Sequence, residues 1–228
     1  MFTNRLFNVI EPVWNSYLEH PFVKGIGKGT VDKDKFIHYM KQDYIYLIEY
    51  SRVFAIGSAK ANDLKTMTIF ANLLHGTMNF EMDLHREYAR KFGISNKELE
   101  ETEASATMTA YTNYMISQSQ LGGVENAIAA VLACAWSYNW IGKELAKWPG
   151  SLEHELYGDW VKMYASDDFT KIAEDCKGLI NDIAKEKSES ELKKLEEIFV
   201  KTSYFEYMFW DMAENISMWP VKELAIKR

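Results

Sequence analysis

The stretch Tyr204-Phe205-Glu206-Tyr207-Met208-Phe209-Trp210-Asp211-Met212-Ala213 decides the fold class, because its apolar residues recur at the period of a helix. Phe199, Ser203, Glu206, Trp210 and Ala213 share one face, so this helix turns an aromatic stripe toward a core. One member of that stripe is an acid. A carboxylate there loses hydration, and its proton affinity rises toward the range useful for general acid–base work. The competing explanation is a glutamate at the edge of the stripe, or one paired with a buried cation.

The same period runs along the rest of the chain. Helices are expected over residues 4–19, 34–61, 64–92, 106–120, 124–148, 153–165, 168–187 and 190–215. Pro21 stops the first and Gly93 closes the third. Ser95-Asn96-Lys97-Glu98 is a capping-box pattern that opens a further helix or turn, and Gly122-Gly123 and Pro149-Gly150 are breaks. Gly25-Ile26-Gly27-Lys28-Gly29 reads as a turn. It lacks the Gly-Lys-Ser/Thr ending and the preceding strand of a phosphate loop. Strand-like alternation is absent from the sequence. Helices of 25 or more residues predict an all-α bundle, one domain spanning 1–228.

Composition narrows the function. The 228 residues are 47% hydrophobic and carry a formal charge of −7, with no basic block of the kind a nucleic-acid surface needs. Glu11 and Pro12 interrupt the N-terminal segment where a targeting signal would be apolar. The longest apolar run, 127–136, is half of the roughly 20 residues that cross a bilayer. Cys134 and Cys176 form neither a disulfide framework nor a metal-ligand spacing, which points to the cytosol.

Three kinds of residue carry candidate chemistry. Cys134 lies in an alanine-rich helix with Val131, Tyr138 and Ile141 on its face. It is either a small buried hydrophobe or a nucleophile, and the latter needs a base or positive charge nearby. Asp43 shares a face with Phe36, Met40, Leu47 and Tyr50. It must be satisfied by a ligand amine, by Arg52 or by the tyrosines. Aromatics are abundant, with 13 Tyr, 12 Phe and 7 Trp. Most belong to the core, while Tyr46, Tyr111, Tyr138 and Tyr164 are placed to line a flat slot for a heteroaromatic ring. A metal or haem site on His75, Glu81 and His85 is the alternative. However, the Glu-x-x-His motif of di-iron bundles is missing, and Glu81 with His85 reads as a structural pair one turn apart.

Four ordered segments make the chain resemble the TenA family, the thiaminase II enzymes. They are Gln42-Asp43-Tyr44 with Tyr46-Leu47, Ala133-Cys134-Ala135-Trp136-Ser137-Tyr138, Tyr164-Ala165-Ser166, and Tyr204-x-Glu206-x-x-Phe209-Trp210-Asp211-Met212-Ala213. The resemblance covers nearly the whole chain. It implies a haem-oxygenase-like all-α fold without haem or other cofactor, a homotetramer, and hydrolysis of aminopyrimidines. The substrates implied are thiamine or the aminomethylpyrimidine left by its breakdown. The presence of Cys134 implies the branch of the family that keeps this cysteine. In the roles so implied, Cys134 is the nucleophile and Glu206 the acid–base group. Asp43 then holds the aminopyrimidine edge, and Tyr46, Tyr111, Tyr138 and Tyr164 line the slot. Two other functions remain open at this point: a haem or di-iron redox protein of the same fold, and a regulator that binds a pyrimidine without turnover.

Overall fold

The computed structural model describes residues 1–221, and within them every regular element is helical. In chain order these are α1 (Phe2–Glu19), α2 (Pro21–Lys28), α3 (Lys33–Lys60) and α4 (Leu64–Gly76), then a π-helical turn (Thr77–Glu81). They continue with α5 (Met82–Lys91), α6 (Asn96–Glu100), α7 (Ala106–Leu121), α8 (Val124–Leu145), α9 (Gly158–Ala165), α10 (Asp167–Ala184) and α11 (Glu189–Asn215). Most starts are fixed by side-chain caps. Asp32, Asp63, Ser105 and Ser166 each accept a backbone N–H of the first turn, and Ser95 and Ser188 form full capping boxes with Glu98 and Glu191. Each such cap stabilises its helix by about 1 kcal/mol.

Helix α8 is the hub, packed by α3, α7, α9, α10 and α11. Its alanines at 127, 129, 130, 133 and 135 are buried, and small side chains let neighbouring axes approach closely. Gly142 shows how tight this is. A Cβ there would lie 2.7 Å from the backbone carbonyl carbon of Tyr164, so glycine is what seats α9 on α8 and brings Tyr164 within 4.7 Å of Tyr138, ring to ring. Trp14, Trp160 and Trp210 fill the core beside it.

Besides the π turn, which interrupts the single helix expected over 64–92, two segments depart from the sequence expectation. Residues 25–29 are not a turn: Pro21 starts α2, which runs through Gly25 and Gly27 and ends at Gly29, the left-handed cap with φ 69°. The two internal glycines serve close packing, since side chains there would strike Val31, Leu145 and Trp148. Helix α9 begins at Gly158, not at 153. The cause is local: the His154 ring nitrogen accepts the N–H groups of Leu156 and Tyr157 at 3.2 and 3.4 Å and competes with a helical start. Among the described residues no helix is long and apolar enough to cross a membrane.

Candidate active site

A cavity of about 580 Å³ opens between α3, the α4–π segment, α8, α9 and α10. Helix α3 presents Asp43, Tyr46 and Tyr50 to it. Cys134 and Tyr138 come from α8, one turn apart, and Tyr164 comes from α9. Five of the seven residues singled out in the sequence therefore share one wall. The other two stand behind it. Tyr111 and Glu206 are 1% exposed and do not line the cavity.

The two are nevertheless wired to it. The Tyr111 hydroxyl donates to Glu206 Oε1 at 2.5 Å and lies 3.3 Å from the Tyr46 hydroxyl on the cavity wall. Phe205 stacks on Tyr111 at 5.3 Å and fixes its ring. Burial raises the Glu206 carboxyl to about 8; the Tyr111 hydrogen bond opposes the rise and the Asp43 charge adds to it. Such a group changes protonation near neutral pH.

The thiol differs from expectation. A resting nucleophile is expected to be activated, yet burial pushes the Cys134 thiol well up, and the charges of Glu206, Glu81 and Asp43 push the same way. Only the Tyr46 hydroxyl opposes them. No cation stands in that set, which keeps the thiol protonated. Cys176 is buried. Its sequence neighbours are polar, but α10 turns it inward with Ala173, Leu179 and Ile180, and burial raises it to about 12.

Asp43 is 6% exposed and pairs with neither Arg52 nor a tyrosine, although Tyr39, Tyr138 and Tyr164 lie within reach of its charge. Arg52 pairs with Glu49 at the surface, whereas His85 Nε2 sits 3.4 Å from Asp43 Oδ2. The expected pairing of Glu81 with His85 is thus replaced by Asp43 with His85. A smaller cavity of about 250 Å³ lies on this side and shares Asp43, Glu81 and Tyr164 with the larger one. Both His85 ring nitrogens lack a hydrogen-bond partner among the described residues.

Glu81 is the site residue that sequence reasoning considered only as a metal ligand or a structural partner of His85. It lines both cavities, and burial, helped by Asp43, raises it to about 7. Among the described residues no three His, Cys, Asp or Glu side chains converge as a metal site. His75 instead packs edge-on against Phe80, ring centroids 5.5 Å apart.

Comparison with known proteins gives the family and the fold. The TENA/THI-4/PQQC family profile matches residues 8–215. A relative from Halalkalibacterium halodurans named aminopyrimidine aminohydrolase is 50% identical over 96% of this chain and 97% of its own. A solved TenA family transcription regulator from a Silicibacter species superposes with a TM-score of 0.88 at 29% identity, covering 93% of this chain and 96% of that one. At 14% identity, a domain of unknown function from Shewanella denitrificans with a haem-oxygenase-like fold superposes with a TM-score of 0.77, over 94% and 92% of the two chains. That likeness concerns the fold alone. Sequence, helix order and cavity thus converge: the chain belongs to the TENA/THI-4/PQQC family and has the haem-oxygenase-like all-α fold of TenA.

Proposed function

We propose that this protein is an aminopyrimidine aminohydrolase of the thiaminase II type. It hydrolyses aminomethylpyrimidine to hydroxymethylpyrimidine and ammonia, or thiamine to hydroxymethylpyrimidine and its thiazole. The observation that carries this reading is one cavity whose wall holds a thiol, the Asp43 carboxylate and four tyrosines, with a carboxyl near pKa 8 directly behind. An aminopyrimidine is flat, accepts at its ring nitrogens and donates from its amine. Tyrosine faces and a carboxylate edge complement that pattern.

Asp43 accepts the exocyclic amine, while Tyr46, Tyr138 and Tyr164 hold the ring. Glu206 takes the thiol proton of Cys134, and Tyr111 steadies the carboxyl through its hydrogen bond. The sulfur adds to a pyrimidine ring carbon as a ring nitrogen gains a proton. The carbon–nitrogen bond to the leaving group then breaks, its electron pair departing with ammonia or thiazole. Water adds to the exposed methylene, the ring expels the sulfur, and the protons return to Cys134 and solvent. The whole chain acts as one catalytic domain, and the protein functions in the cytosol as a homotetramer in thiamine salvage.

The test is direct. Purified protein is given aminomethylpyrimidine and thiamine separately, and hydroxymethylpyrimidine is measured with time. Turnover of either is expected. Binding of both without product would replace the enzyme by a pyrimidine-binding regulator.

A further inference from the structure

The wall of the 580 Å³ cavity contains four carboxylates, from Asp43, Glu81, Asp168 and Asp175, and no lysine, arginine or histidine. Asp168 and Asp175 are exposed at the rim, and Asp175 is held by Lys171 at 2.6 Å. Asp43 has His85 beside it. Glu81 makes no ion pair among the described residues, and Phe80 and Leu84, which flank it on the cavity wall, are apolar. The lysine of the smaller cavity, Lys91, is already bound to Asp159 at 2.6 Å. Carboxylates gathered in a partly apolar wall without a counter-ion repel one another, and a bound cation relieves that cost. Burial and the Asp43 charge raise the Glu81 proton affinity, against a Thr77 hydrogen bond that lowers it, so its partner is a neutral hydroxyl and not a cation.

The proposed reaction supplies the missing cation. The group attached to the pyrimidine methylene is an ammonium or a thiazolium before cleavage, and the hydroxymethyl product is neutral. We propose that Glu81 is the counter-charge for the cationic leaving group, and so distinguishes substrate from product. This rests on the proposed function and adds a residue outside the Cys134–Glu206 chemistry. Once the cation has left, the neutral product loses the Glu81 contact and is held by its pyrimidine ring alone.

The test is binding, measured by calorimetry in a Cys134→Ser background so that nothing is consumed. Thiamine, aminomethylpyrimidine and hydroxymethylpyrimidine are compared in that background, with and without Glu81→Gln. Loss of one charge-assisted contact predicts about tenfold weaker binding of the two cations, with hydroxymethylpyrimidine unchanged. Glu81→Asp, which keeps the charge, retains the preference for the cations. Equal weakening of all three ligands by Glu81→Gln would make Glu81 structural and overturn the proposal, as would unchanged affinity for the cations. If wild-type protein binds the pyrimidines without turnover, the hydrolase reading fails while this comparison still decides the role of Glu81. Binding of none of the three would remove both.

Discussion

The hydroxyl of Tyr111 on α7 donates to the carboxylate of Glu206 on α11 at 2.5 Å, and the hydroxyl of Tyr46 on α3 is 3.3 Å beyond it. Three helices distant in sequence therefore meet at one titratable group, and two phenols link it to the cavity. The carboxyl is shielded from water while its proton keeps a path to the site.

A pH-dependent rate follows from that arrangement. Below about 8 Glu206 holds its own proton and cannot accept one from Cys134, so kcat/KM should rise as pH climbs to about 8. Thiamine is the substrate to use, since its thiazolium charge does not titrate. Glu206→Gln should lower kcat by about 10²–10⁴-fold and abolish the rise. Tyr111→Phe removes a hydrogen bond that favours the ionised carboxylate, so it should move the rise to higher pH. A pH–rate profile that Glu206→Gln leaves intact would assign the proton to another group.

The two thiols should respond differently. Cys134 faces the cavity but is kept protonated by burial and carboxylates, so iodoacetamide should label the free protein slowly near neutral pH. A bound pyrimidine should slow labelling further. Cys176 is fully buried and should label only on unfolding, with no protection specific to the ligand. Cys134→Ser should lose turnover by on the order of a thousandfold or more and still bind pyrimidine. Near-normal turnover in that variant would refute nucleophilic catalysis. Mass spectrometry of labelled peptides reads the first part and steady-state kinetics the second.

Asp43→Asn replaces a charged acceptor by a neutral amide at the recognition edge. It should raise KM by about tenfold or more, with a smaller change in kcat. If the variant instead flattened the pH profile and Glu206→Gln did not, the roles of the two acids would be exchanged.

Association is expected from the surface. Leu64, Met78, Phe80 and Leu84, along the α4–α5 segment, are 77, 55, 64 and 53% exposed, and an apolar strip of that kind is normally covered by a partner. Light scattering should give about four times the chain mass of 26.5 kDa. A stable monomer at working concentration would contradict the homotetramer.

Much of this was legible in the sequence because it is local. The stripe through Phe199, Glu206 and Trp210 fixes α11 with Glu206 inward, and the cap at Ser95 is a short-range pattern. What was hidden depends on distant partners. Nothing near Gly25 and Gly27 says that Val31, Leu145 and Trp148 crowd them. Nothing near Cys176 reveals the core under α10, because its immediate neighbours are charged. The Asp43–His85 contact joins residues on α3 and α5. Spacing alone paired His85 with Glu81, one turn away, and could not show that α3 sets Asp43 against His85 instead.

The π turn at Thr77–Glu81 accommodates about one residue more than an α-helical turn would. Each residue advances a helix by about 100°, so every side chain downstream is rotated by roughly that angle from its α-helical phase. The length of this segment, as much as its composition, sets which side of α5 looks at α3. Deleting one residue from it could leave a straight helix with all its hydrogen bonds, yet swing His85 away from Asp43. Substitutions here should be better tolerated than single-residue insertions or deletions.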